Sequence, residues 1–291
     1  MRIAALFFCF LSVGTANAQI NSLKTPNISA NTLFLYRNSE TGKEDISTER
    51  NGIDLREAEL SFYSDVDPYH RLNILLTVHP EYTYNATTDR IEQVWKIEPE
   101  ELFAETLQIP DVTLKIGKFK AAVGKTNLLH THAYLFIDVP LINNTTMGSE
   151  GLNDVGVSAA WLLPLSWYSE ITGQFLRGEG ENAEFSSKSP SDGVGVTHWK
   201  NLFDLTEAST FEWGTSFAKG SNDLRGQTLI SGLDLTYKWR PSEGGRYHSV
   251  ILGGEYLARN LEQPGTSAEK ANGYYTFLQF QFAERWSTAE P

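Results

Sequence analysis

Thiols are almost missing from this sequence. Of 291 residues one is a cysteine, Cys9. It lies in an N-terminal stretch laid out as a secretory signal, with Met1 and Arg2 as a short positive start, an apolar run from Ile3 to Val13, and Ala16-Asn17-Ala18 as a cleavage site. Removing 1–18 leaves no disulfide framework and no cysteine metal site. Long apolar runs are equally scarce. The signal's own run falls well short of the ~20 residues a helical span needs, and no later segment comes closer, which excludes a helical inner-membrane protein. Basic residues are in deficit: 24 Lys and Arg against 36 Asp and Glu give a formal charge of −12. Such a chain is a poor match for nucleic acid, whose phosphates require basic patches.

What the sequence does have is alternation. Twelve runs with apolar and polar residues in turn can be read at about 31–37, 53–66, 69–79, 101–109, 112–119, 155–163, 167–178, 194–203, 209–219, 227–240, 247–259 and 273–286. In the tenth, Leu229, Leu233, Leu235 and Trp239 point one way, while Ile230, Asp234, Thr236 and Lys238 point the other. In the ninth, Phe211, Trp213 and Phe217 oppose Thr210, Glu212 and Ser216. The connections alternate short and long. Short ones carry Pro or Asp-Gly turn chemistry (65–68, 110–111, 164–165, 204–208, 241–245), and long ones occupy 38–52, 80–100, 120–154, 179–193, 220–226 and 260–272. Tight turns at one end and long loops at the other are the mark of an antiparallel transmembrane β-barrel. In hydrocarbon every backbone polar group needs a partner, so strands span only by closing on themselves. The expected fold is therefore all-β: one outer-membrane barrel over 19–291, with no plug domain and outer-membrane lipid as its surroundings. A soluble secreted sandwich or propeller shares the alternation but gives no reason to sort loops by length. Aromatics near strand ends (Tyr69, Trp161, Trp167, Trp199, Trp239, Tyr247, Trp286) fit interfacial girdles. After Trp286 the segment 287–291 reads as a turn, so either twelve strands close the barrel or the chain stops before closure.

One region is more specific than strand and loop. It contains Gly117-Lys118-Phe119, Gly124-Lys125-Thr126-Asn127, His130-Thr131-His132, Phe136, Asp138, Pro140-Leu141 and Glu150-Gly151-Leu152-Asn153-Asp154, preceded by Leu55–Asp67. This pattern resembles bacterial outer-membrane barrels labelled zinc-regulated TonB-dependent receptors, which are distantly similar to phosphate-selective porins. The resemblance covers about residues 53–180 and implies a porin-like barrel without specifying the solute. Receptors of that label carry a plug before the barrel, whereas about a dozen residues separate signal and first strand here. Members also run longer at the C-terminus.

The loop 120–154 is the longest, and it is too apolar to be freely solvated (Leu128, Leu129, Tyr134, Phe136, Ile137, Val139, Leu141, Ile142). It is expected either to fold into the barrel mouth and narrow the pore or to cap the rim. His130 and His132, with Asp138 and Glu150 near in sequence, have the chemistry to ligate zinc, since i and i+2 share a side in a strand; a hydrogen-bonding role is the alternative. No other cofactor is expected. Constriction or pore-lining candidates are Lys115, Lys118, Lys125, Asn127, Asp138, Glu212, Asp234 and Lys238, with Glu57, Glu59, Glu170 and Glu255 as further lumen charges able to set an ion-selecting field. Net acidity favours cations, whereas the run Lys115, Lys118, Lys120, Lys125 favours anions. None of His70, His79, His130, His132, His198 or His248 has a serine two residues on, Ser249 is the immediate neighbour of His248, and Asp89 with Glu92 is a weak protease pair. The reading is a non-enzymatic passive channel for small hydrophilic solutes or ions in the cell outer membrane, with room for an oligomer. The runner-up is a surface-binding or metal-uptake component without an open channel.

Overall fold

The computed structural model of the chain describes residues 26–37, 52–85, 87, 90–148, 150–179, 184–186, 189, 192–243 and 245–290. The expected signal 1–18, the connection 38–51 and Asp89 lie outside them. Among the described residues the chain is all-β, as the alternation predicts. Thirteen strands follow one another: β1 Asn27–Arg37, β2 Gly52–Asp65, β3 His70–Asn85, β4 Arg90–Thr106, β5 Val112–Lys120, β6 Asn153–Leu162, β7 Tyr168–Leu176, β8 Val194–Thr206, β9 Ser209–Ser221, β10 Gln227–Trp239, β11 Ser249–Leu261, β12 Glu269–Ala283 and β13 Trp286–Glu290. They form one antiparallel meander in which each strand pairs with its neighbours in sequence, so β1 and β13 are the edges.

The expected runs are redrawn in two places. The segment 80–100 is not a loop. β3 and β4 continue through it as a long hairpin, pairing Pro80 with Trp95 and Asn85 with Arg90. The prolines suggested a break, yet both sit where a missing N–H is tolerated. β2 has its last partner on β3 at Val78, and β5 has its last partner on β4 at Leu102. Beyond those points the hairpin is a two-stranded arm with no third strand bonded to it among the described residues, and Pro99 stands at a register shift opposite Leu76. At the other end, the turn falls at 284–285, three residues earlier than expected, and 286–290 pairs back on β12 as a thirteenth strand.

The two faces of the sheet are sorted inversely to a soluble protein. On β10, Ile230 is fully buried and Asp234 is 3% exposed, while Leu233 between them is 40% exposed. On β9, Ser216 is fully buried and its neighbour Phe217 is 52% exposed. The outward rows carry Leu114, Ile116, Val155, Val157, Ile171, Phe175, Leu252, Tyr256, Leu278 and Phe280, and the covered rows carry Glu59, Thr77, Ser158, Thr172, His198, Thr228, Thr236 and Glu255. Large exposed apolar surface of this extent calls for an apolar neighbour.

Candidate functional site

The covered face of the sheet is occupied by the connection 121–152, which leaves β5 and re-enters β6 at a paired couple, Lys120 and Asn153. It contains two 3-10 turns, Thr126–Leu128 and Thr131–Ala133, and one short helix, α1, Leu141–Met147. Its anchors reach strands far apart in the sheet. Ala122 N donates to Gln174 Oε1 on β7 (2.8 Å), and Gly124 N donates to Ser216 Oγ on β9 (2.9 Å). Lys125 Nζ donates to Glu212 Oε1 on β9 (2.5 Å) and to Thr236 Oγ1 on β10 (2.9 Å). Thr126 hydrogen-bonds Tyr275 on β12, Asn143 donates to Glu255 on β11 (3.3 Å), and His132 Nδ1 lies 2.6 Å from Glu59 Oε2 on β2.

These anchors fix the curvature. β2 and β12 are ten strand intervals apart, about 48 Å in a flat sheet. Thr126 and His132 are six residues apart, a reach of about 21 Å at most. The sheet therefore curls around the connection, which lies inside it. Of the two sequence expectations for this loop, the inward one describes the structure.

The motif residues explain the inward path. Asn127 is buried and clips the two ends of the loop together: its Nδ2 donates to Ala121 O (2.8 Å) and Leu152 O (3.0 Å), and its Oδ1 accepts from Leu152 N (2.8 Å). Gly151 has φ +69°, and a Cβ there would stand 2.2 Å from Asn127 Oδ1. Gly124 has φ +64°, and a Cβ there would stand 1.5 Å from Glu255 Oε1. Asp154 collects Val155 N (2.7 Å), Gly178 N (2.6 Å) and Glu179 N (3.1 Å). Phe119, Ala121, Val123, Met147 and Leu152 then pack on Leu176, Val194, Val196, Ala218, Ile230 and Leu257 of the wall. This apolar cluster fills the long-loop half of the interior beside β7–β11.

Among the described residues, two cavities lie against the connection, one on each side of it. The outer one, about 620 Å³, lies in the long-loop half against β2–β5 and is lined by Arg56, Glu57, His79, Glu98, Lys118 and Glu150 among others. The inner one, about 420 Å³, lies in the short-turn half against β10–β12, with Lys125, Phe136, Thr236, Lys238, Phe277 and Gln279 in its wall. Tyr134 and Asp138 line both. The segment 134–138 is thus the partition between them. Arg56, the extra residue where the β1–β2 register shifts, holds it by donating to Ile137 O and by standing 3.9 Å from Asp138.

His130 and His132 are latches. His130 Nδ1 lies 2.9 Å from Glu100 Oε1, and its Nε2 lies 3.1 Å from Glu101 Oε2. Lys120 Nζ completes the group 3.0 Å from Glu100. Burial works against a charged imidazole, but the two carboxylate hydrogen bonds and their charges outweigh it and push His130 up to about 9. As imidazolium, both ring nitrogens donate. The His130 and His132 rings stack 6.0 Å apart, 7° from parallel, His130 engaged by Glu100 and Glu101 and His132 by Glu59. They do not converge on one point as metal ligands do, Asp138 is with Arg56, and among the described residues no three His, Asp or Glu side chains gather as a metal site. The set does not fit zinc.

The other sequence candidates separate. Lys115 sits over the Phe103 ring at 4.0 Å, and Lys118 Nζ donates to Pro99 O at the outer cavity. Glu212 is bracketed by Lys125 and, at 3.3 Å, by Lys200. Asp234 is buried 3.6 Å from His198 Nε2, and Lys238 faces the inner cavity. His198 is the cross-strand partner of Ser216, a juxtaposition that sequence spacing could not reveal because it depends on the β8–β9 register. Ser216 Oγ accepts from Gly124 N and so serves the docking of the loop, while His198 Nε2 and Asp234 Oδ2 are buried without a hydrogen-bond partner among the described residues. Of the rim pair, Glu92 accepts from Asn85 near the tip of the arm (2.7 Å).

No protein-family model matches the chain. It is similar to an uncharacterized protein of Aquifex aeolicus (strain VF5), 27% identical over 314 aligned residues that cover 97% of this chain and 61% of that protein. The chain thus spans about three-fifths of the length of that relative.

Proposed function

We propose that the chain is a porin-like outer-membrane barrel through which small hydrophilic solutes or ions diffuse passively, narrowed by the inward connection 121–152. The observation that carries this reading is the polarity of the sheet, with leucines, isoleucines and aromatics outside and, apart from the apolar cluster packed on the connection, carboxylates, lysines and hydroxyls inside. Lipid satisfies the first and water the second. Exposed aromatics near the short-turn ends of strands, Tyr69, Trp161, Trp167, Tyr247 and Trp286, suit a membrane interface. A solute entering from the long-loop side meets the outer cavity, then the partition at 134–138, then the inner cavity. Mixed charge along this route, Glu57, Glu98 and Lys118 above and Lys238 below, supports hydrated cargo.

Planar-bilayer recording tests the proposal. The full chain is expected to give stepwise openings, and a variant lacking 128–145 larger ones. Silence from protein with heat-modifiable gel mobility would instead favour a surface-binding component. Openings of unchanged size after the deletion would remove the connection from the permeation path.

A further inference from the structure

The inner cavity has a chemistry of its own. Lys238 on β10, Ile251 on β11 and Gln279 on β12 are successive cross-strand partners, so they form one row across the covered face. In the next row Thr236, Gly253 and Phe277 are partners. Gly253 lacks the Cβ that would stand 2.5 Å from Phe277 Cζ, so the phenyl ring lies over the strand and presents its face. Tyr275 stacks on it, with centroids 6.4 Å apart at 15°. Phe136 and Tyr134 of the partition supply the facing wall.

The charges around this apolar slot are nearly all spent. Lys125 is held by Glu212 and Thr236, and Asp138 stands by Arg56. Lys238 has no carboxylate within ion-pair distance among the described residues. The cavity therefore combines aromatic faces, one unneutralised ammonium and, in the same row beyond Ile251, a primary amide.

We propose that the inner cavity is a binding site for a small aromatic carboxylate, its ring against Phe277 and Phe136 and its carboxylate on Lys238 and Gln279. A cavity of about 420 Å³ accepts one such molecule with room for water. An aliphatic acid would leave the ring faces unused, and an aromatic amine would meet the lysine's like charge. The assignment gives a substrate class to the channel reading and rests on it for its physiological meaning, but binding itself does not require conduction.

Calorimetric titration of the full refolded chain in detergent, with benzoate, acetate and benzylamine as probes, tests it. Benzoate is expected to bind, with acetate and benzylamine at least tenfold weaker. Lys238→Met should weaken benzoate tenfold or more, Lys238→Arg should retain it, and Phe277→Leu should weaken benzoate without affecting acetate. Heat-modifiable mobility checks that each variant is folded, and Lys238→Gln replaces the Met variant if that one fails. Absence of benzoate binding to the wild type, equal binding of acetate, or an unchanged affinity in the folded Lys238 variant overturns the proposal. Conductance without benzoate binding sinks this site alone. Benzoate binding without conductance sinks the channel and leaves the site.

Discussion

At the scale of single residues, His130 couples the inward connection to pH. Its folded value, about 9, stands above the ordinary 6.5. A raised value means that the folded state holds the proton more tightly, so the contribution is complete below about 6.5 and fades as pH climbs through 9. The difference corresponds to on the order of 3 kcal/mol for a largely covered ring. Melting of the refolded protein between pH 6 and 10 should show stability falling from about pH 6.5 to 9 and levelling above that, and His130→Gln should start lower and lose most of that fall. A variant with an undiminished alkaline drop would assign it to other groups. The sequence made His130 conspicuous through its i+2 partner but left a metal and a hydrogen-bonding role both open. Its actual partners, Glu100 and Glu101, lie about thirty residues upstream in a segment whose prolines disguised a strand. Asn127 was likewise visible as part of a motif, yet its task as a clip could not be read, because the carbonyls it holds belong to both ends of a long insert.

The elements were easiest to read where lipid-type alternation is strict. β9 and β10 show it without interruption, and their faces fall as the side-chain pattern dictates. β3 and β4 were harder because an arm beyond its neighbours has no buried face to enforce alternation. β13 was harder still, being five residues long. The inward course of 121–152 was half legible: eight large apolar side chains demanded a partner, but not which one. Gly124 is the element's most sensitive point. Gly124→Ala adds a Cβ against Glu255 at a positive φ, a strain of about 1–3 kcal/mol before the overlap is counted. The expected result is a folded barrel with an undocked connection, read as protease cleavage within 121–152 that the wild type resists. Resistance equal to wild type would mean that Glu255 yields without releasing the loop.

Across the whole molecule, the exposed leucines distinguish lipid from water as surroundings. Leu233 lies mid-strand on the outer face of β10. Leu233→Arg should cost about 2–4 kcal/mol when unfolding is followed by urea titration in lipid vesicles, since a charge near the bilayer midplane is that unfavourable. On a water-facing sheet the same change would fall within about 0.5 kcal/mol. A near-neutral result in vesicles would therefore count against the membrane reading as a whole.

The fastening of the insert by one amide has a wider consequence. Since 121 and 152 are tied beside each other at a paired couple of strands, the ends of the insert stay fixed on the wall while its middle is moored to β2 and to β9–β12. Exchange of the stretches between these moorings should leave the register of the strands intact, so those stretches can diversify faster than the sheet around them.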